Sequence, residues 1–197
     1  MLDNLKNADV VLVSCSPRRK QLLEQLGLHF RTVESGFDEK QPEGMLDGEE
    51  LTLFLSRCKV ECFKEQMTAN TLLISADTIV MADGVILGKP ADKTEAVKML
   101  RKLSGKTHRV ITGVTLKTLK AVDSFTCTTE VRFATLSDEE TDYYIDHFAP
   151  YDKAGSYGIQ EWIGLIGAES IKGCFYNVMG LPLPMLYQKL KKIKPER

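Results

Sequence analysis

In the stretch SCSPRRKQLL, residues 14 to 23, Arg18 and Arg19 follow directly on Ser16 and Pro17. Ser then Pro is a helix start, an N-cap followed by a residue pre-set for the first helical position. Helix N-termini carry unpaired N–H groups and the positive end of the macrodipole, so they favour acids and disfavour arginines. A bound phosphate group would answer the two charges, because a strand-loop-helix start is already an anion cradle and guanidinium forks match phosphate oxygens. Ser14 and Ser16 add hydroxyl donors to such a cradle. The alternative is that both arginines point into water or pair with surface acids.

Other segments carry groups suited to the same anion. SADTIV sets Asp77 and Thr78 inside an otherwise apolar strand, where an ionised carboxylate is costly to bury without a cation or donors beside it. That marks Asp77 as a functional acid, against the reading of a strand-end Asp meeting backbone amides. Lys89, in GKP, follows directly on a hairpin and is held by Pro90 in extended or turn geometry. Asp38 and Glu39 lie in a loop after a strand, a place for divalent-metal ligands or simply for solvated acids. Lys59 lies within a helix. DKAGSYGIQ, residues 152 to 160, is rich in small residues and ends on Gln160; a backbone approaching a flat ligand explains its glycines, and so does an ordinary loop.

Composition removes several classes. With 26 basic and 27 acidic residues the net charge is −1, so no general basic surface supplies the counterion release that non-specific nucleic-acid binding needs. Five cysteines without a CxxC pair argue against a disulfide framework and a zinc ribbon. His29, His108 and His147 accompany no GxSxG elbow and no HExxH pair, and Walker and Rossmann glycine patterns are missing. The apolar run near the N-terminus, VVLV, is too short for a signal peptide or a membrane span. A soluble, cytoplasmic protein is the expectation.

These residues need elements to hold them. Val10 to Val13 reads as a buried strand, followed by a helix from Pro17 to about Leu26 that Gly27 ends. FRTVES reads as a second strand. Asp47 and Glu50 have capping-box spacing and open a helix running to about Met67. TLLISADTIV is a strand, and the Asp-Gly of MADGVIL makes a hairpin turn. Asp92 and Glu95 open a helix with Ala96, Val97, Leu100 and Leu103 on its inner face. Two β-rich stretches, His108 to Leu119 and Val122 to Thr135, suggest an antiparallel pair; Ser137 to Glu140 caps a helix to about Phe148, and a terminal helix starts at Leu183. Early strand-helix alternation with later hairpins predicts an α/β protein with a mixed twisted sheet flanked by helices, in one domain over residues 1–197.

Taken in this order, SCSPRR, FDE, SADTIV, GKP, THRVITGV, DKAGSYGIQ and FYNVMGLP closely resemble the Maf family, also called septum formation inhibitor proteins. The likeness covers nearly the whole chain. It implies a nucleoside triphosphate pyrophosphatase with a fold similar to the inosine triphosphate pyrophosphatases (Maf/Ham1-like), two lobes around a central cleft. It further implies that Arg18, Arg19, Lys59 and Lys89 grip the triphosphate, that Ser14 contacts phosphate, and that Glu39 helps hold a divalent cation such as Mg²⁺, Mn²⁺ or Co²⁺. Asp77 matches the proposed proton acceptor, with metal binding as its other role. Thr78, Gln160 and Arg18 match positions linked to substrate choice. DKAGSYGIQ resembles the branch acting on dTTP and UTP, not the one acting on 7-methyl-GTP. The helix bearing Lys59, LFLSRCKVECF, departs from the family's alanine-rich version. Gln160 offers one donor and one acceptor, as the N3–H and O4 edge of uracil or thymine requires, although a flipped amide matches cytosine. A homodimer is a family expectation, and neither nucleic acid nor membrane is an expected partner. The competing reading is a non-catalytic nucleotide-binding regulator of cell division.

Overall fold

The computed structural model describes residues 2–37 and 47–194. Asp38 and Glu39 therefore lie outside the described residues. In chain order the elements are β1 (Asp9–Val13), α1 (Pro17–Gln25), β2 (Arg31–Val33), α2 (Gly48–Glu61), β3 (Thr71–Ala82), β4 (Val85–Leu87), α3 (Lys93–Leu103), β5 (Thr107–Lys117), β6 (Val122–Phe133), α4 (Asp138–Phe148), α5 (Trp162–Gly167), β7 (Ala168–Lys172), α6 (Phe175–Val178) and α7 (Leu183–Leu190). The strands run in the order β2-β1-β3-β5-β6-β7, with β4 paired to β3. β1 is parallel to β2 and to β3, whereas β4 is antiparallel to β3 and β7 to β6. The mixed sheet flanked by helices is thus the observed architecture. No helix among the described residues is long and apolar enough to cross a membrane.

The chain divides into two compact units, the first being Met1–Asp77, Thr112–Cys127 and Gly180–Arg197, the second Thr78–Ile111 and Thr128–Met179. In the first unit, Val11, Val13, Val60 and Leu73 form a buried cluster against which Val33, Phe63 and Met67 pack. That packing corrects the expected end of α2. Lys64 to Met67 are good helix formers, yet the helix stops at Glu61 with Cys62 as its C-cap, and Phe63 and Met67 pack on the apolar cluster of β1 and β3 instead. Likewise β2 spans only Arg31–Val33, shorter than the stretch FRTVES.

The start of α2 follows local signals. Asp47 Oδ1 accepts from the backbone N–H of Glu49 and Glu50, and Glu50 reaches back to the Asp47 N–H, completing a capping box. The helix sits on the strands where Gly113 of β5 passes beneath it; a Cβ there would lie 2.4 Å from the carbonyl of Thr52. A run of hydroxyls, buried at Ser75, Ser56 and Thr115, pins the same face: Ser75 donates to the Ser56 carbonyl at 2.6 Å, Ser56 Oγ meets Thr115 Oγ1 at 2.8 Å, and Thr115 meets the half-buried Ser124 at 3.0 Å.

The second unit holds an apolar core built from Val80, Leu87, Leu100, Leu103, Phe133 and Tyr144 among others. Its hairpin turn is as expected. Asp83 and Gly84 take φ of 51° and 74°, the left-handed pair a two-residue turn requires, and the register Val80↔Leu87, Met81↔Ile86 and Ala82↔Val85 closes β3 on β4. α4 carries a second capping box, between Ser137 and Glu140. α5 and β7 had no counterpart in the sequence pattern; β7 is recruited by pairing to β6, with Val131↔Ile171 and Glu130↔Lys172 in register.

Candidate active site

The first unit brings these residues together where β1 ends. Leu12 of β1 lies beside Ile74 of β3, and β3 runs on to Ala82, so Asp77, three residues beyond Ile74 and within β3, is level with the turn that follows β1. Ser16 caps α1 by accepting from the Arg19 N–H at 3.4 Å, and no acid occupies the first turn. Ser14 Oγ accepts from the Ser16 N–H at 3.2 Å and from Arg19 Nη1 at 3.5 Å, which leaves the Ser14 hydroxyl its proton to donate. Arg19 is buried, and its Nε donates to the Gly180 carbonyl at 2.9 Å. Its guanidinium is therefore oriented by the fold. Arg18, the preceding residue, is half-buried.

Asp77 is where the sequence singled out a carboxylate in need of a cation. Lys59 supplies it: Nζ lies 2.5 Å from Asp77 Oδ1, with the lysine 6% and the aspartate 9% exposed. Ending α2 at Glu61 moves Lys59 from mid-helix to the last turn, where the negative end of the macrodipole favours a cation. The pair uses one carboxylate oxygen and leaves Oδ2 for other chemistry.

Thr78, the next residue along β3, belongs to the second unit and is half-buried. In this unit the Gly155 N–H donates to the Gly88 carbonyl at 3.0 Å, tying the loop that carries Gln160 to the residue before Lys89. Lys89 and Gln160 are both exposed, while Pro90 is buried. The glycines of DKAGSYGIQ answer to the protein's own side chains. Gly155, at φ 69°, sits where a Cβ would come within 3.0 Å of the Val80 side chain, and a Cβ on Gly158 would lie 2.7 Å from Glu161 Cδ and 3.0 Å from Gln160 Nε2.

A family model described as Maf-like protein matches residues 9–193. The chain belongs to the Maf family. This Maf-like protein is 53% identical over 194 residues to a protein of Porphyromonas gingivalis named dTTP/UTP pyrophosphatase, covering 97% of each chain. Proteins of the same name from Phocaeicola vulgatus and Bacteroides fragilis are 52% and 49% identical, each over 98% of this chain and 100% of their own length. Among solved structures, a HAM1 protein from Coxiella burnetii aligns over 94% of this chain and 100% of its own, with a TM-score of 0.48 and 14% identity.

Of the residues singled out in the sequence, the Maf-like chain places Ser14, Arg18, Arg19, Lys59 and Asp77 in its first unit and Thr78, Lys89 and Gln160 in its second. Sequence reasoning missed Gly180, whose carbonyl orients Arg19, and the buried polar group of Tyr144, Lys153 and Glu161. The family motif FYNVMGLP contained Gly180 and could have pointed to it; Tyr144 lies on an ordinary amphipathic helix and gave no signal.

Proposed function

We propose that the protein is a nucleoside triphosphate pyrophosphatase that hydrolyses dTTP and UTP to the nucleoside monophosphate and pyrophosphate. The observation that carries this reading is the buried Lys59–Asp77 pair, in the same unit as an arginine-bearing helix start, in a chain about half identical to relatives named dTTP/UTP pyrophosphatase.

The chemistry follows from charge. A triphosphate carries about four negative charges, and cleavage requires them to be neutralised while water attacks in line. Arg18, Arg19, Lys59 and Lys89 supply positive charge, and Ser14 donates a hydrogen bond to phosphate. The water oxygen bonds to the α phosphorus, the bond from that phosphorus to the bridging oxygen breaks, and pyrophosphate leaves. Asp77 Oδ2 accepts the proton of the water, Oδ1 remaining with Lys59. Asp77 and Glu39 are hard oxygen donors, which suits Mg²⁺, Mn²⁺ or Co²⁺, and such an ion would neutralise phosphate charge and lower the pKa of a bound water. Gln160, with Thr78 and Arg18, reads the base.

A pyrophosphate-release assay over the common nucleotides and 7-methyl-GTP, with and without added divalent metal, tests this. UTP and dTTP are hydrolysed faster than ATP or GTP. Preference for 7-methyl-GTP overturns the substrate assignment, and full activity of Asp77→Asn favours a non-catalytic nucleotide-binding protein.

A further inference from the structure

α2 meets the sheet through polar groups and a glycine, where the inner face of a helix is ordinarily apolar. Thr52, Ser56 and Lys59 lie on one side of the helix by their spacing, and all three are buried. Each meets the sheet. The Thr52 carbonyl lies over Gly113, the Ser56 carbonyl accepts from Ser75 at 2.6 Å, and Lys59 Nζ donates to Asp77 Oδ1 at 2.5 Å. Ser75 and Asp77 are alternate residues of β3 and so point to the same side of it. The helix and the strand are thus joined by two successive rungs, Ser56 with Ser75 and Lys59 with Asp77. A helical side chain leans back over the turn before it, so the Lys59 stem lies over the turn that Ser56 pins.

The hydroxyls around the first rung admit one hydrogen pattern. Ser56 Oγ donates to the Leu53 carbonyl at 3.0 Å. A hydroxyl has one proton, so Ser56 can only accept from Thr115, and Thr115 in turn only from Ser124, whose oxygen accepts from Arg57 Nε at 3.0 Å. The chain of bonds begins at Arg57 and ends at Leu53, both on α2, and crosses β6 and β5 between them. Apolar contacts let a helix slide on a sheet, whereas directional bonds hold it at one place. Ser56 belongs to LFLSRCKVECF, the stretch in which this chain departs from the family pattern.

We propose that Ser56, Ser75 and Thr115 are positioning residues for the reaction: by fixing α2 on β3 they set Lys59 Nζ against Asp77 Oδ1 and so aim the carboxylate that takes the proton of the water. The inference rests on the role given to Asp77 above. An ammonium on a flexible four-carbon stem holds a carboxylate in one direction only where its own backbone is held.

The test compares wild-type protein, Ser75→Ala and Thr115→Val by two measurements. Ser75→Ala leaves the Ser56 carbonyl its helical N–H partner, and Thr115→Val keeps shape while removing a hydroxyl. Competitive acylation of the lysines by an N-hydroxysuccinimide ester, read by peptide mass spectrometry, needs no nucleotide. Labelling of Lys59 should rise roughly tenfold, the scale of one hydrogen bond, while Lys153, buried in the other unit, stays constant and reports on global unfolding. For UTP, kcat per folded protein should fall about tenfold with KM changed less than about twofold, because misalignment of the acceptor is felt in the transition state. Where Thr115→Val does not fold, Ser75→Ala alone decides. Unchanged Lys59 labelling shows that the hydroxyls do not hold the pair, and raised labelling with unchanged kcat shows that the alignment does not matter to the rate; either result overturns the proposal. If wild-type protein hydrolyses no nucleoside triphosphate, the reading of the site fails and the role in the reaction falls with it, while the labelling still decides whether the hydroxyls hold the pair.

Discussion

Removing either member of the Lys59–Asp77 pair should cost much more than removing both. At a separation of 2.5 Å the attraction is about 7 kcal/mol at an effective dielectric of about 20. Most of that is cancelled by taking both ions out of water, since desolvation costs several kcal/mol per buried ion. Lys59→Met therefore leaves a carboxylate 9% exposed without this cation and should destabilise the protein by about 3–5 kcal/mol, a large share of the roughly 5–15 kcal/mol that holds a domain folded. Asp77→Asn costs less, because the amide oxygen can still accept from Lys59. The double variant Lys59→Met, Asp77→Asn buries no net charge and should return to within about 1 kcal/mol of wild type. Urea unfolding measures each value, the slope against urea staying constant. Pyrophosphate release should be lost in both single variants and stay lost in the double one, separating stability from chemistry. The reasoning is refuted if Lys59→Met costs under about 1 kcal/mol, or if the double variant regains hydrolysis.

Arg19→Lys keeps the charge but gives up the fork held by Gly180 and Ser14; kcat/KM for UTP should fall about tenfold, and an unchanged value would show that charge alone suffices. His108 gives a pH dependence unrelated to catalysis. It is 1% exposed, its Nε2 lies 2.7 Å from the Tyr157 hydroxyl, and burial pushes its pKa from 6.5 down to about 4. The unfolded chain thus binds a proton at this residue below about 6.5 that the folded chain refuses until about 4, so stability is complete above pH 6.5 and falls as pH drops, by about 3 kcal/mol at 1.36 kcal/mol per pH unit. Unfolding followed from pH 7 to 5 should show about 2 kcal/mol of this loss, and His108→Gln should remove it; an equal slope in the variant would assign the loss to other groups.

Local signals carried most of the fold. Asp83-Gly84 specified a turn because only left-handed φ values close a two-residue hairpin, and Asp47 with Glu50 or Ser137 with Glu140 specified helix starts because each pair satisfies orphan N–H groups by itself. Failures came where a distant partner decided. α2 ends six residues before Met67, the expected end, and Phe63 and Met67 pack on strands distant in sequence. α5 has no side-chain cap and two glycines, and β7 exists through its ladder to β6, so neither leaves a periodic trace. The glycines of residues 152–160 were legible as close-approach positions, but not what approaches them, since Val80 and Glu161 come from elsewhere in the fold or a turn later.

The candidate site was legible in a different way, as departures from local rules. Two arginines in a helical first turn and an aspartate in the middle of an apolar strand each oppose the element that carries them, whereas Lys59 within its helix gave no such signal and was singled out only through the family likeness. Sequences tolerate such conflicts where function requires them. The structure adds that Lys59 answers Asp77 across 18 residues of chain. Arg19 is oriented by a carbonyl and a hydroxyl. A carbonyl and a hydroxyl hold a guanidinium fork in one direction without themselves neutralising its charge. In the function proposed above, that fork meets phosphate while Asp77 Oδ1 stays with Lys59 and Oδ2 takes the proton of the water.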